Sequence, residues 1–485
     1  MKSNISLKKN FVLNILLTLS TIIFPFVTFP YVSRVIGPSG TGKVTFATSI
    51  ISYFSLFAQL GIPTYGIRIC SKYRDDKEQL NRTFQELFII NLVMDVLSYL
   101  VLFITVNTIS KFIEYKTLLI LMSATILLTS IGLEWLYRAI EQYSFITLSS
   151  VIFKLLAMVL MFVTIHDADD YYMYGILSVL AASGSFVINF IYATKFVTFK
   201  PVGNYNFIQH LRPIAVFFAM SCATTVYTNL DNVMLGFMTD DVEVGYYNAA
   251  VKIKSALISV VTSLGTVLLP RISYFVSRNK TEEARMIIKK AIHFVLFSSI
   301  PLTVYFMIFA KEGIFFLSGD QYEAAIIPMQ IIMPTVLIVG LSNVTGIQIL
   351  IPLGKERVVL YSEVAGAIVD LIINAMMIPV FKSSGAAIGT LVAEIVVLGI
   401  QYNEIRKDYN DIFKLKNLKL IIISTIISSV LCLCVKFLNL SVFVALLLSA
   451  VLFFGSYLFV LYISKDNIAL ELIATVKNFL HIKKN

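Results

Sequence analysis

Apolar residues recur along this chain in runs long enough to cross a bilayer, not in the alternation of a strand or the narrow stripe of a soluble helix. Stretches of the required length, about 20 residues, cover 11–36, 44–69, 83–107, 116–137, 143–165, 172–198, 211–237, 243–270, 287–310, 324–351, 358–380, 384–403, 418–438 and 441–463, with short polar connections between them. The pattern predicts an all-α integral membrane protein with about fourteen transmembrane helices. Twelve is the alternative, because the first two runs adjoin through a Gly-rich turn and Leu438, Asn439 and Leu440 barely separate the last two. The first run exceeds a signal-peptide core, lacks a small-residue cleavage site and ends at Arg34, so it is expected to stay in the mature chain.

Composition removes the soluble alternatives. Of 485 residues 58% are hydrophobic and 14% charged, against about 25% charged in ordinary soluble domains. The polar surface that several soluble enzyme domains need is missing.

Charge placement orients the bundle. With the N-terminus in the cytoplasm, twenty-nine lysines and arginines fall in inside segments and seven in outside turns. That asymmetry satisfies the positive-inside rule with both termini cytoplasmic. It also accounts for the net charge of +10 without nucleic acid, since the cations are spread over loops and form no single face.

Two apparent motifs are set aside. Cys70, Cys222, Cys432 and Cys434 include no C-x-x-C pair, and His166, His210, His293 and His481 have no paired ligand spacing, so structural roles are expected and no metal site. Gly37 to Lys43 fits the first seven positions of a P-loop, but Val44 replaces the magnesium-binding Ser or Thr, and no strand precedes it. A tight turn between two spans on the outer face is the better reading.

Ionisable groups inside the apolar runs are costly and mark transport paths or salt-bridged locks. Lys154, Asp231, Lys252, Lys254, Glu363, Asp370 and Glu394 are the clearest, with Asp95 and Glu134 in more polar company. In the eighth run Lys252 shares a face with Gly245, Asn248, Ser255, Ser259 and Ser263, a small and polar stripe at helical spacing. Lys252 is therefore expected to face a hydrated lumen, and Lys254, about 200° further round, is not. The seventh run offers Thr224, Tyr227, Thr228 and Asp231 on one stripe, and the eleventh sets Glu363 and Asp370 two turns apart on one face. Asp231, Glu363, Asp370 and Glu394 are candidates for a coupling proton or sodium ion, or for salt bridges to Lys154 and Lys252.

A partial repeat suggests internal symmetry. Gly42 to Ile50 opens the second run and Gly245 to Ile253 the eighth, each after an earlier glycine, Gly37 or Gly236. The alignment sets Lys252 against Ser49. Two pseudo-symmetric six-helix lobes, 1–198 and 199–405, followed by two further helices and a tail in 406–485, are the expected organisation. Repeat transporters hold substrate at the interface of their halves.

The stretches Pro30–Gly37, Glu134–Glu141 followed by Lys154, Asp169 to Tyr172, Asp231–Gly236, Val244–Ile253 and Ile378 to Thr390 resemble those of the Wzx-type polysaccharide repeat-unit flippases. These form the polysaccharide transporter branch of the superfamily that also holds the MATE multidrug exporters and the lipid II flippase MurJ. The resemblance spans nearly the whole chain. It departs at Ala139, where relatives often carry glycine, which is expected to affect helix packing more than substrate choice.

The resemblance implies a bacterial cytoplasmic-membrane protein that moves an undecaprenyl-diphosphate-linked oligosaccharide from the inner to the outer leaflet by alternating access, for O-antigen, capsule or another surface glycan. No bond is broken, so no enzyme and no cofactor is implied beyond a coupling H+ or Na+. Polysaccharide polymerase and chain-length regulator are the implied protein partners, beside membrane lipids. A diphosphate calls for cations and a glycan for Ser, Thr, Asn and Tyr walls. Lys252 and Arg34 are assigned to the diphosphate, with Arg68, Arg138 and Lys154 as secondary candidates. The alternatives are a cation-coupled exporter of small amphiphiles, whose cavity is expected to be acidic and aromatic, and a non-transporting scaffold.

Overall fold

The computed structural model describes residues 7–413, 418–438, 440–466 and 468–470. Lys2, Lys414, Lys416, Asn439, Lys477, His481, Lys483 and Lys484, used above for topology and ligand spacing, lie outside the described residues. Those described form helices and connections without strands. Packing divides the chain into two compact units, Met1–Gly245 and Tyr246–Asn485.

Among the described residues eleven helices are long and apolar enough to cross a membrane, or twelve if the bent pair Asp320–Ile332 and Thr335–Leu350 is one span. Two of the eleven stretches, Leu19–Lys72 and Glu356–Tyr409, contain 54 residues each. A straight helix of that size would run about 80 Å, more than twice the roughly 30 Å of a hydrocarbon core. Neither is straight. The helix Leu7–Gln59 breaks at Gly37 (φ 67°, ψ −177°), and Glu356–Phe413 breaks at Lys382 (φ 51°, ψ −126°).

Contacts show that the chain doubles back at each break. Tyr31 donates to Ile165 O at 2.7 Å, while Lys43, twelve residues later, lies 4.5 Å from the Tyr171 ring. In the second unit, a Cβ on Gly385 would stand 2.5 Å from Met377 O, and one on Gly389 would meet Asn374 and Asp370. Residues on the two limbs thus pair in antiparallel register.

The first unit is built from helices in consistent directions. The limb before Gly37 runs parallel to Tyr143–Thr164, since Thr147 donates to Leu13 O, Lys154 to Ser20 and Tyr31 to Ile165 O. The limb after Gly37 runs antiparallel to Ile208–Met238, with Gly42 at Asp241, Tyr53 donating to Val226 O and Gly61 against Phe218. Lys77–Thr108 is antiparallel to Lys116–Ile131 through Tyr99 to Ser123 O and Ser130 to Asp95.

The glycines that open the two segments of the sequence repeat lie close together in this unit. A Cβ on Gly42 would stand 1.7 Å from Asp241 O, and one on Gly245 would stand 2.1 Å from Pro38 O. Each glycine exists because the other turn's backbone occupies the place of its side chain. The P-loop-like stretch is therefore a packed turn, with Thr41 donating back to Gly37 O at 3.1 Å.

The Trp-containing motif lies in a core with Tyr65, Phe84 and Leu87, where Trp135, Leu136, Tyr137 and Ala139 are buried. Ala139 is only 1% exposed, so its methyl group is a packing element, as the departure from glycine suggested. Outward faces are apolar, Phe103 being 70% exposed. Lipid tails offer no hydrophobic gain over such side chains, so close packing and buried hydrogen bonds hold the helices together.

In the second unit the terminal helices Leu418–Leu433 and Val442–Ile463 pair through Ser456 and Ser428 at 2.9 Å. They dock on Thr281–Ile308 around Tyr305, Phe309, Cys432 and Phe453. Tyr305 reaches Ser449 at 2.9 Å, and Tyr457 donates to Phe297 O at 2.8 Å.

Candidate functional site

Three helices of the first unit surround a cavity of about 460 Å³, inside the roughly 300–1,000 Å³ range of small-molecule sites. The limb after Gly37 contributes Thr48, Ser52, Ser55 and Gln59, Lys116–Ile131 contributes Thr125 and Thr129, and Ile208–Met238 contributes Ser221, Thr225 and Asn229. Each set follows i, i+3 or i+4 spacing, which puts its members on one helical face. Gly61 and Pro63 complete the wall, with Ile51, Leu56 and Met122 as the apolar part. The lining holds seven hydroxyls and two amides but no charged or aromatic side chain.

Several polar groups have their hydrogens committed. Thr48 donates to Val44 O at 2.7 Å, Ser52 to Thr48 O at 2.8 Å, Thr129 to Thr125 O at 2.6 Å and Asn229 Nδ2 to Thr225 O at 3.0 Å. Their oxygen lone pairs remain. Ser55 Oγ is buried with no hydrogen-bond partner among the described residues.

The charged residues singled out in the sequence are distributed over both units. In the first, Lys154 is 9% exposed and donates to Ser20 Oγ at 2.9 Å, tying the fifth apolar run to the first. Arg138 is paired with Glu134 on its own short helix at 3.2 Å. Arg34 is exposed and donates to Pro30 O, and Arg68 is exposed on Ile62–Lys72. Asp231 is 7% exposed. The cavity stripe on its helix is Ser221, Thr225 and Asn229, about 100° per residue from the Thr224 and Thr228 row, which is exposed.

In the second unit, Lys252 and Glu363 are half-buried. Asp370 is 1% exposed and accepts from Asn374 Nδ2 at 3.2 Å. Glu394, 9% exposed, lies on the opposite limb of the Lys382 hairpin. With Gly389 facing Asn374, the antiparallel register brings Asp370 and Glu394 to the same depth.

Sequence reasoning missed a dense polar cluster around Glu86. Glu86, fully buried, accepts at Oε1 from Asn206 N (2.6 Å) and at Oε2 from His210 Nε2 (2.8 Å) and Gln209 Nε2 (3.2 Å). Arg82 Nε stands 3.4 Å from Oε1, and the Tyr65 hydroxyl meets His210 Nδ1 at 2.8 Å. A carboxylate oxygen only accepts, so Nε2 carries hydrogen and the ring is oriented from both sides. Glu86 and His210 are 124 positions apart, so no local spacing reveals the pair. Glu86 is one of two acids, with Asp95, in an otherwise apolar run, and that was the available signal.

This bundle of broken and paired helices is that of a multi-pass, all-α membrane protein. Its fold is shared with a solved structure of the lipid II flippase MurJ in an inward closed conformation (TM-score 0.75, 14% identity, covering 96% of this chain and all of that one). It is shared as well with an inward-facing multidrug resistance MATE transporter of the MOP superfamily (TM-score 0.64, 13% identity, 84% of this chain and 99% of that one). The chain belongs to the polysaccharide biosynthesis protein family, whose profile matches residues 7–276, and a MatE profile matches 216–376. Similar over nearly their full length are two proteins each named "Putative O-antigen transporter". The one from Escherichia coli (strain K12) is 22% identical, covering 84% of this chain and 98% of its own, and the one from Shigella dysenteriae is 23% identical, covering 81% and 98%. The resemblance drawn from the sequence motifs is borne out.

Proposed function

We propose that this protein flips an undecaprenyl-diphosphate-linked oligosaccharide repeat unit from the cytoplasmic to the outer leaflet, by alternating access, for surface polysaccharide assembly. The observation that carries the proposal is the cavity lining. In a polysaccharide biosynthesis family member with a flippase-like fold, hydroxyls and amides form a surface suited to a glycan. The same lining favours this reading over a small-amphiphile exporter, for which acidic and aromatic walls are expected.

In this reading Lys252 and Arg34 hold the diphosphate, with Arg68, Arg138 and Lys154 as secondary cations, each charge offsetting a phosphate that would otherwise be desolvated. Asp231, Glu363, Asp370 and Glu394 are the groups for a coupling proton or sodium ion. Asp370 and Glu394 at one depth of one hairpin support an ion site there more strongly than Asp231 alone. The chain breaks no bond and delivers the unit to a polymerase and chain-length regulator in the bacterial cytoplasmic membrane. Fourteen spans with both termini cytoplasmic belong to this proposal. The reversals at Gly37 and Lys382 support that count, and the excess of cations in alternate loops supports the orientation.

The test is leaflet translocation of a labelled polyprenyl-diphosphate oligosaccharide in vesicles containing the purified protein. Translocation is expected in the wild type and at least about tenfold slower in Lys252→Ala, since a lost charge contact in a low-dielectric site is worth about 1.5–3 kcal/mol. An imposed pH or sodium gradient that accelerates it identifies the coupling ion. Failure to move any such lipid, with export of cationic dyes instead, sinks the flippase reading.

A further inference from the structure

The cavity of the first unit has a chemical bias that narrows its cargo. Thr48, Ser52 and Thr129 spend their hydroxyl hydrogens on backbone carbonyls within their own helices, and Asn229 spends its amide hydrogens on Thr225 O and Thr228 Oγ1. What these four present to the cavity is acceptor oxygen. Ser55 adds a buried hydroxyl with no partner of its own among the described residues. The lining contains neither lysine nor arginine, so a carboxylate or phosphate brought here would lose its hydration and meet no opposite charge, which is costly. A sugar ring carries several hydroxyls, each a donor that an acceptor oxygen satisfies, and its apolar C–H face suits Ile51, Leu56 and Met122.

We infer that this cavity is a sugar subsite that selects uncharged, hydroxyl-bearing residues of the repeat unit over acidic ones such as uronic acids. The inference rests on the flippase reading for its cargo but concerns a pocket separate from the cations assigned to the diphosphate. Charge on the substrate is handled elsewhere, and the cavity reads the neutral glycan.

The experiment compares two polyprenyl-diphosphate oligosaccharides that differ at one residue, a hexose in one and the corresponding hexuronic acid in the other, in the same vesicles. The neutral lipid is expected to cross at least about tenfold faster, the equivalent of one unpaired buried charge at its mildest. Thr225→Val and Ser52→Ala are expected to slow the neutral lipid several-fold in protein of unchanged thermal stability, and Thr225→Lys to narrow the preference. Equal rates for both lipids in the wild type, or neutral-lipid rates untouched by both Thr225→Val and Ser52→Ala, overturn the inference and leave the flippase reading standing.

If the wild type moves neither lipid, the flippase reading fails first, and binding then decides the inference. Saturation-transfer NMR of the detergent-solubilised protein with free neutral and acidic trisaccharides is the measurement. A signal from the neutral sugar alone, lost in Thr225→Val, sustains the subsite. A signal from neither sugar, or from both equally, overturns it.

Discussion

Two polar regions of the first unit are built on opposite plans. Around Glu86, both carboxylate oxygens and both nitrogens of His210 have partners, and Glu86, His210 and Tyr65 are closed to solvent. In the cavity, hydroxyls and amides form the wall, and the lone pairs that their own helices leave unused face inward. A closed network fastens helices, because every group removed leaves another stranded in a low dielectric. An open one costs little to keep only where water or a ligand completes it, which is what a binding surface requires. The same residue chemistry serves as fastening or as recognition according to whether the protein itself supplies the last partner.

The largest expected effect comes from breaking the closed network. Glu86→Ala strands the buried His210 and is expected to cost about 3–5 kcal/mol, as for removal of one member of a buried pair. It is read as a large fall in the thermal unfolding temperature of the purified protein. His210→Ala should do much the same, and the double variant should lose far less than the sum. Additive losses would show that the pair is not one unit.

Asp95 is an intermediate case, 2% exposed, with one oxygen accepting from Ser130 at 2.8 Å and the other without a partner among the described residues. Ser130→Ala removes its donor and is expected to destabilise by about 1–3 kcal/mol, measured by the same unfolding assay. A loss as large as that of Glu86→Ala would erase the distinction between one donor and several.

Cavity variants should behave in the reverse sense. Thr225→Val and Ser52→Ala remove hydroxyls that fasten no second helix, so stability should change by no more than about 0.5 kcal/mol, while translocation slows. A fall in stability without a change in translocation would make the cavity part of the fastening. The smallest effect is expected at the surface. Arg74 and Glu141 meet at 2.7 Å, but their side chains are 42% and 46% exposed, and Arg74→Ala should cost only about 0–1 kcal/mol in unfolding measurements.

The helical membrane class followed from the length of the apolar runs alone, because a bilayer demands unbroken apolar helices of nearly fixed length. The glycine of each repeated segment was also legible, although its purpose was not. Only the fold shows that Gly42 and Gly245 make room for one another's turns. Lys154, Asp231, Asp370 and Glu394 stood out because charge in an apolar run is conspicuous, and all four are buried. The serines and threonines of the cavity were inconspicuous, since hydroxyls occur throughout membrane helices and usually satisfy themselves on the preceding turn.

Sequence by itself therefore determined what is set by local pattern: helical spans, the charge asymmetry between their ends, and which residues are costly to bury. Tertiary structure alone decided where Ser52, Thr129 and Thr225 converge and where Glu86 finds His210 across 124 positions. Those facts depend on which faces of distant helices meet. No periodicity within one helix encodes that choice.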